Sequence, residues 1–119
     1  MSVNPQVVAQ QLGVKVAALQ AFSVPCITLD ELIARNEMGP IDILQIDTEG
    51  HDYNVLKTIS LKTHKPLIIQ FEHGHLSPVE INSAVSYLVE NDYRILYGGL
   101  QCDTLALHQS FPSFRELAG

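Results

Sequence analysis

The sequence has no tryptophan, only two cysteines, and only seven lysine and arginine residues. Against these seven stand 13 aspartates and glutamates, which gives a formal net charge of −6. Because nucleic-acid phosphates repel such a chain and no basic cluster offsets this, we expect no nucleic-acid partner. Cys26 and Cys102 are far apart in the sequence and match no zinc-binding spacing, so we expect reduced and largely buried thiols.

Long hydrophobic runs are also absent. The longest clean run covers residues 66–71, far short of the ~18 residues that a membrane span needs. The first 22 residues lack the basic start and apolar block of a secretory signal. We therefore expect a cytoplasmic protein with no membrane partner.

A glycine-rich phosphate-binding loop is missing as well. Gly98-Gly99 precedes a predicted strand and lacks the G-x-G-x-x-G spacing of dinucleotide-binding proteins. What the chain does have is 46% hydrophobic and 17% charged residues, a composition typical of one globular domain.

The chain divides into an N-terminal segment, 1–22, of uncertain structure, a body, 23–109, and a tail, 110–119, expected to add one helical turn. Within the body, β-branched and apolar runs predict strands at 24–29, 41–46, 66–71, 93–97 and 103–107. Helices are predicted between them, with Asp30 as one cap, residues 52–60 as one helix, and a capping box of Ser77 and Glu80. This β-α-β-α-β-α-β-β pattern indicates an α/β fold with a mostly parallel sheet and a C-terminal antiparallel hairpin.

The most informative stretch is the predicted strand 41–46 and the acids that follow it. Ligands of open α/β sheets lie outside the carboxyl ends of the strands. Asp47 and Glu49 follow this strand at alternate positions, so a continued strand would place both carboxylates on one side. Gly50 then permits a sharp turn into a helix.

A second polar group follows the neighbouring strand, namely Glu72, His73 and His75. Together with the acids after residue 46, it predicts a rim suited to general acid–base chemistry, a divalent metal, or the polar groups of a cofactor. The simpler alternatives are that Asp47 caps the next helix, that Glu49 is a surface acid, and that the histidines, His51 included, are hydrogen-bonded surface residues. No third and fourth ligand stand at a recognisable zinc spacing, so we expect no metal.

Several segments resemble the FkbM family of S-adenosylmethionine-dependent methyltransferases. The resemblance covers roughly residues 23–108, and its specificity lies in the order of the pieces. These pieces are Val24–Leu32, Ile41–Gly50 with its Ile-Asp-Thr-Glu-Gly core, Val55–Lys57, Pro66–His73, Asn91–Tyr93 and Asp103–Ala106.

The resemblance implies a class I, Rossmann-like methyltransferase sheet with strand order 3-2-1-4-5-7-6. It implies transfer of a methyl group from S-adenosylmethionine to a hydroxyl of a sugar or small natural product. Of the expected catalytic residues, Asp47 and Glu49 follow from the resemblance, and Glu72 and His73 are added as supporting polar groups of the rim. The implied cofactor-binding residues are Asp30, Asp47 and Thr48.

The match corresponds to the C-terminal half of such a domain, without the first two strands and the glycine-rich donor loop. We therefore expect a truncated domain with weak or no activity alone. By the resemblance, the predicted strands 41–46, 66–71, 93–97 and 103–107 look like strands 4, 5, 6 and 7 of the family. The absence of strands 1 and 2 therefore leaves one edge of the strand 41–46 open. We expect Val24–Leu29 or a second copy of the chain to cover it, the latter giving a homodimer.

Two other functions remain open. One is a non-catalytic half-domain that pairs with another subunit. The other is a metal-dependent hydrolase that uses a set of acids and histidines: Asp47, Glu49, His51, His73 and His75.

Overall fold

The computed structural model describes residues 4–97, 103–113 and 116. Helices and strands alternate from α2 to β3, and β4 then follows β3 directly, which confirms the predicted α/β class. The helices are α1 (Pro5–Leu12), α2 (Leu29–Arg35), α3 (Asp52–Leu56) and α4 (Pro78–Glu90), with a 3-10 turn at Val16–Ala18. The strands are β1 (Ile43–Ile46), β2 (Ile68–Glu72), β3 (Tyr93–Tyr97) and β4 (Asp103–His108).

The four strands form one open, mixed sheet in the order β1-β2-β4-β3. β1 and β2 run parallel, with Ile46 opposite Phe71, and β4 runs antiparallel to both β2 and β3. The predicted antiparallel pair is confirmed, but the mostly parallel sheet is wrong, because β4 lies between β2 and β3 and makes two of the three pairings antiparallel. The order is consistent with strands 4-5-7-6 of a partial methyltransferase-like sheet.

The core lies where the central strands β2 and β4 meet helices α3 and α4. Ile69 and Phe71 on β2 are fully buried, as are Leu56 of α3 and Leu88 of α4. Burial of one such side chain contributes about 1.5–3 kcal/mol, so these contacts fix the sheet against both helices. The core thereby sets the positions of the residues that follow β1 and β2.

The predicted strand at Val24–Leu29 is wrong. Residues 19–28 form no regular secondary structure, and α2 begins at Leu29. Thr28, not Asp30, is the cap, and it forms a capping box with Glu31. A strand needs a partner to satisfy its backbone, whereas a capping box satisfies the backbone locally, so the helix prevails at this boundary.

The outer edge of β1 is consequently open. Among the described residues, no segment pairs with it, and Ile43 is 63% exposed. Coverage of this edge by Val24–Leu29 within the same chain is therefore wrong.

Several smaller expectations also change. Helix α3 ends at Leu56 instead of Ser60, and the Thr58 hydroxyl donates to the Val55 carbonyl at 2.7 Å where the helix has unwound. Cys26 is exposed, so its predicted burial is wrong, and it forms no disulfide in the described parts of the chain. The expectations for Cys102 and Gly98-Gly99 lie outside the described residues, as does most of the predicted tail turn.

No helix in the described ranges is long and apolar enough to cross a bilayer.

Candidate functional site

The chain turns sharply as soon as β1 ends. Glu49 has a φ of 54° and Gly50 a φ of 108°, so two consecutive residues lie in the left-handed half of the backbone map. The predicted side-by-side arrangement of Asp47 and Glu49 relied on continued strand geometry, which stops at Ile46. A Cβ on Gly50 would lie 3.4 Å from the Cβ of His75, so this turn contacts the loop that follows β2.

Asp52 joins the ends of the two parallel strands. Its side chain is fully buried. One carboxylate oxygen accepts the Thr48 hydroxyl at 2.9 Å and the Thr48 backbone N–H at 3.4 Å. The other oxygen accepts the backbone N–H of Glu72 at 3.1 Å. Because a buried carboxylate is stable only when its oxygens are satisfied, this set of bonds fixes the spacing of the two loops.

Glu49, Glu72 and His75 form a compact cluster at the carboxyl ends of β1 and β2. The Glu49 Oε2 atom lies 3.1 Å from the His75 Nε2 atom. The Glu72 Oε1 atom lies 3.9 Å from the same nitrogen. These side chains are 30%, 17% and 35% exposed respectively, so the cluster is shielded but reachable from solvent.

The electrostatics of the cluster act mainly on Glu72. Burial is the largest cause that raises the pKa of the Glu72 carboxyl above its ordinary value, followed by the negative charge of Glu49. His75 opposes this shift, while Asp47 and Asp52 add to it. A carboxyl group with a raised pKa exchanges its proton closer to neutral pH, which suits general acid–base chemistry.

The other predicted residues on the rim have different surroundings. Asp47 is exposed at the end of β1, and it does not cap the next helix, whose N-cap is His51. His73 bonds through Nδ1 to the buried Thr104 hydroxyl at 2.8 Å. His51 makes no cap bond, and both of its ring nitrogens are buried without a hydrogen-bond partner among the described residues. His75, and not His73, therefore joins the two glutamates.

Asp30 is separated from this rim. Its carboxylate accepts the Ser60 backbone N–H at 2.9 Å and lies 3.7 Å from the His64 Nε2 atom. Ser60 and His64 precede β2, so Asp30 is near the amino end of that strand, opposite to the cluster. The structure brings Asp47, Thr48, Glu49 and Glu72 to one end of the sheet and places Asp30 at the other.

Sequence reasoning missed the role of Asp52 and the central position of His75. Asp52 reads simply as an acid in the first turn of a helix. A usable signal was the four-residue separation of Thr48 and Asp52 across a glycine turn, which permits a local side-chain bond. The contact of Glu49 with His75 has no comparable signal, because the two residues belong to separate loops.

Residues 13–95 match the protein family described as the Methyltransferase FkbM domain. This range spans more than half of the chain, and the chain therefore belongs to the FkbM methyltransferase family. No curated protein and no solved structure matches the chain.

Proposed function

We propose that this domain takes part in transfer of a methyl group from S-adenosylmethionine to a hydroxyl of a sugar or small natural product. The observation that carries the proposal is the FkbM family match over residues 13–95. The acid and histidine cluster at the carboxyl ends of β1 and β2 supports it, because this is where α/β sheets bind their ligands.

In this proposal S-adenosylmethionine, when bound, supplies an electrophilic methyl group. The donor would pass this methyl group to the acceptor hydroxyl and would leave as S-adenosylhomocysteine. Glu49 or Asp47 accepts the hydroxyl proton, and Glu72 and His73 provide supporting polar contacts. The two acids differ in their surroundings, because the Glu49 Oε2 atom lies 3.1 Å from the His75 Nε2 atom whereas Asp47 is exposed.

The residues of the rim fit part of the donor. Asp47 is exposed at the end of β1, and Asp52 fixes the adjacent backbone N–H and hydroxyl of Thr48. We propose that both residues border the bound cofactor. Asp30 does not fit, because its carboxylate is bonded to Ser60 near the other end of the sheet.

We propose further that the chain alone binds the donor weakly or not at all, because it contains no glycine-rich loop for the amino-acid part of the donor. Isothermal titration of the full chain with S-adenosylmethionine and with S-adenosylhomocysteine tests this. Submicromolar binding would contradict weak donor use by the isolated chain. Asp47→Asn should weaken any measurable binding, whereas Asp92→Asn at an exposed distant position should leave it unchanged.

A second candidate function is a non-catalytic half-domain that pairs with another subunit. The open edge of β1 favours it, because unpaired strand edges readily take up another strand. Donor binding by the purified chain would argue against this candidate. No binding of the donor at high concentration, together with a stable complex with another subunit through β1, would favour this candidate.

We also propose a cytoplasmic location. Cys26 is exposed and forms no disulfide within the described residues, which suits a reducing compartment. Fractionation of cells that express the full chain tests this, and recovery of the protein outside the cytoplasm would contradict it.

A further inference from the structure

Three potential metal ligands converge at the carboxyl end of the sheet from separate segments. Glu49 lies in the turn after β1, Glu72 ends β2, and His75 lies in the loop before α4. One ligand atom from each residue lies within 4.8 Å of the other two. Many metal sites show as ligands at fixed intervals along the sequence. These three residues have no such interval, and the pairing of β1 with β2 brings them together.

The distances are close to those around a bound divalent ion. Metal–ligand bonds of about 2.1 Å place neighbouring ligand atoms about 3.0–3.4 Å apart in octahedral or tetrahedral geometry. The Glu49 Oε2 atom is already 3.1 Å from His75 Nε2. The Glu72 Oε1 atom is 3.9 Å from the same nitrogen, and all three ligand atoms lie within 4.8 Å of one another, so the set would contract around a bound ion.

A second observation is independent of these distances. Glu49 Oε2 and Glu72 Oε2 are both shielded from solvent, and neither has a hydrogen-bond partner among the described residues. The 3.1 Å contact between Glu49 and His75 is thus an approach of two ligand atoms without the geometry of a hydrogen bond. Buried carboxylate oxygens without partners are costly, and a cation is one of the few groups that satisfies two of them together.

No basic side chain neutralises the cluster. In the described parts of the chain, the ion pairs of Glu49 and Glu72 involve only His75 and no lysine or arginine. Lys57, in the neighbouring helix region, lies over the ring of Tyr53 instead. The charge of the two glutamates therefore remains available to a bound ion.

We propose that Glu49, Glu72 and His75 bind a divalent transition-metal ion. One imidazole and two carboxylates favour Zn²⁺ or Mn²⁺ over Mg²⁺, which prefers all-oxygen ligands. Three protein ligands leave coordination positions open for water or for an acceptor hydroxyl. The proposal does not rest on methyl transfer, because it concerns metal binding alone.

Isothermal titration of the full chain with Zn²⁺, and separately with Mn²⁺, tests the site. We expect one ion per chain, with affinity reduced at least about tenfold in both His75→Ala and Glu72→Gln, since the first removes a ligand and the second removes the charge of another. His64→Ala is the matched control, because His64 also faces a carboxylate, that of Asp30, but at the other end of the sheet. This control should bind as the unchanged protein does.

A second measurement guards against loss of folding in the variants. Far-ultraviolet circular dichroism must show the same spectrum for each variant and the unchanged chain. Bound Zn²⁺ should then raise the Tm of the unchanged protein and of His64→Ala, but not that of His75→Ala. Absence of binding, or binding that His75→Ala and Glu72→Gln leave intact, would overturn the proposal as adventitious metal capture. Failure of donor binding would leave it standing.

Discussion

The Asp52 Oδ1 atom accepts the backbone N–H of Glu72 at 3.1 Å, although the two residues are 20 positions apart in the sequence. The other oxygen of Asp52 holds Thr48, so one buried carboxylate ties the loop after β1 to the end of β2. The position of Glu72 relative to Glu49 depends on this connection. A residue outside the acid and histidine cluster therefore sets its geometry.

Asp52→Ala should lower the free energy of unfolding by about 1–3 kcal/mol, because it leaves partly buried donors of Thr48 and Glu72 without an acceptor. Asp52→Asn keeps one acceptor oxygen and should cost less. Urea unfolding measures both changes. Asp42→Asn, at an exposed position, is the control and should be close to neutral. Equal stabilities for Asp52→Ala and this control would refute the role of Asp52.

Gly50→Ala should destabilise the protein by about 1–3 kcal/mol, since a side chain at a φ of 108° is strained. The added Cβ would also lie 3.4 Å from the His75 Cβ and shift the loop that carries this histidine. Gly39→Ala is a matched control, because its Cβ would meet no atom within 4 Å. Chemical denaturation of both variants gives the comparison, and a similar cost at both positions would contradict the prediction.

Tyr93→Phe should remove a buried hydrogen bond, because the Tyr93 hydroxyl donates to the Pro66 carbonyl at 2.7 Å. An unpaired buried carbonyl costs about 1–3 kcal/mol at neutral pH. Tyr53→Phe is the control, since no hydrogen bond of the Tyr53 hydroxyl is present in the described residues. Thermal unfolding at pH 7 should separate the two variants.

The same residue should make the protein sensitive to alkali. Burial raises the pKa of Tyr93 from 10.0 to about 12. The folded state therefore favours the neutral phenol over the phenolate. The contribution of the Tyr93 phenol to the free energy of unfolding is fully present below pH 10 and is lost as the pH rises from about 10 to 12. Two pKa units correspond to about 2.7 kcal/mol. Across this pH range, the free energy of unfolding should fall less steeply in Tyr93→Phe than in the unchanged protein. The same slope in both proteins would contradict the prediction.

The open edge of β1 should support self-association of the chain. Ile43 on this edge is 63% exposed, and unpaired apolar edges pair with other strands. Sedimentation velocity at rising concentration should show a dimer that Ile43→Lys weakens by charge at the edge. Val79→Lys is the control, because Val79 is 73% exposed but lies on α4. A strictly monomeric unchanged chain, or an equal effect of both substitutions, would exclude this edge as the contact.

Much of the chain was predictable because its signals are local. The capping box of Ser77 and Glu80 and the helix after Pro78 are confirmed. The apolar runs also locate the strands β1 to β4 within a few residues. The candidate site was predicted at the carboxyl ends of two of these strands, and Glu49 and Glu72 do meet there.

The failures share one physical cause, which is that the decisive partner lies far away in the sequence. Val24–Leu29 has the composition of a strand, but no strand pairs with it among the described residues. Cys26 belongs to the same unpaired stretch and is exposed for that reason. Local composition gives a segment its strand propensity, but the segment forms a strand only where a neighbouring strand pairs with it.

The sequence by itself determined the Ser77 cap of α4, the positions of β1 to β4 within a few residues and the acidic character of the segment after residue 46, since these depend on near neighbours along the chain. Only the tertiary structure decided that β4 lies between β2 and β3, that Asp52 is the buried link, and that His75 joins Glu49 and Glu72. Those outcomes depend on contacts between loops that the sheet brings together, and no local pattern encodes them.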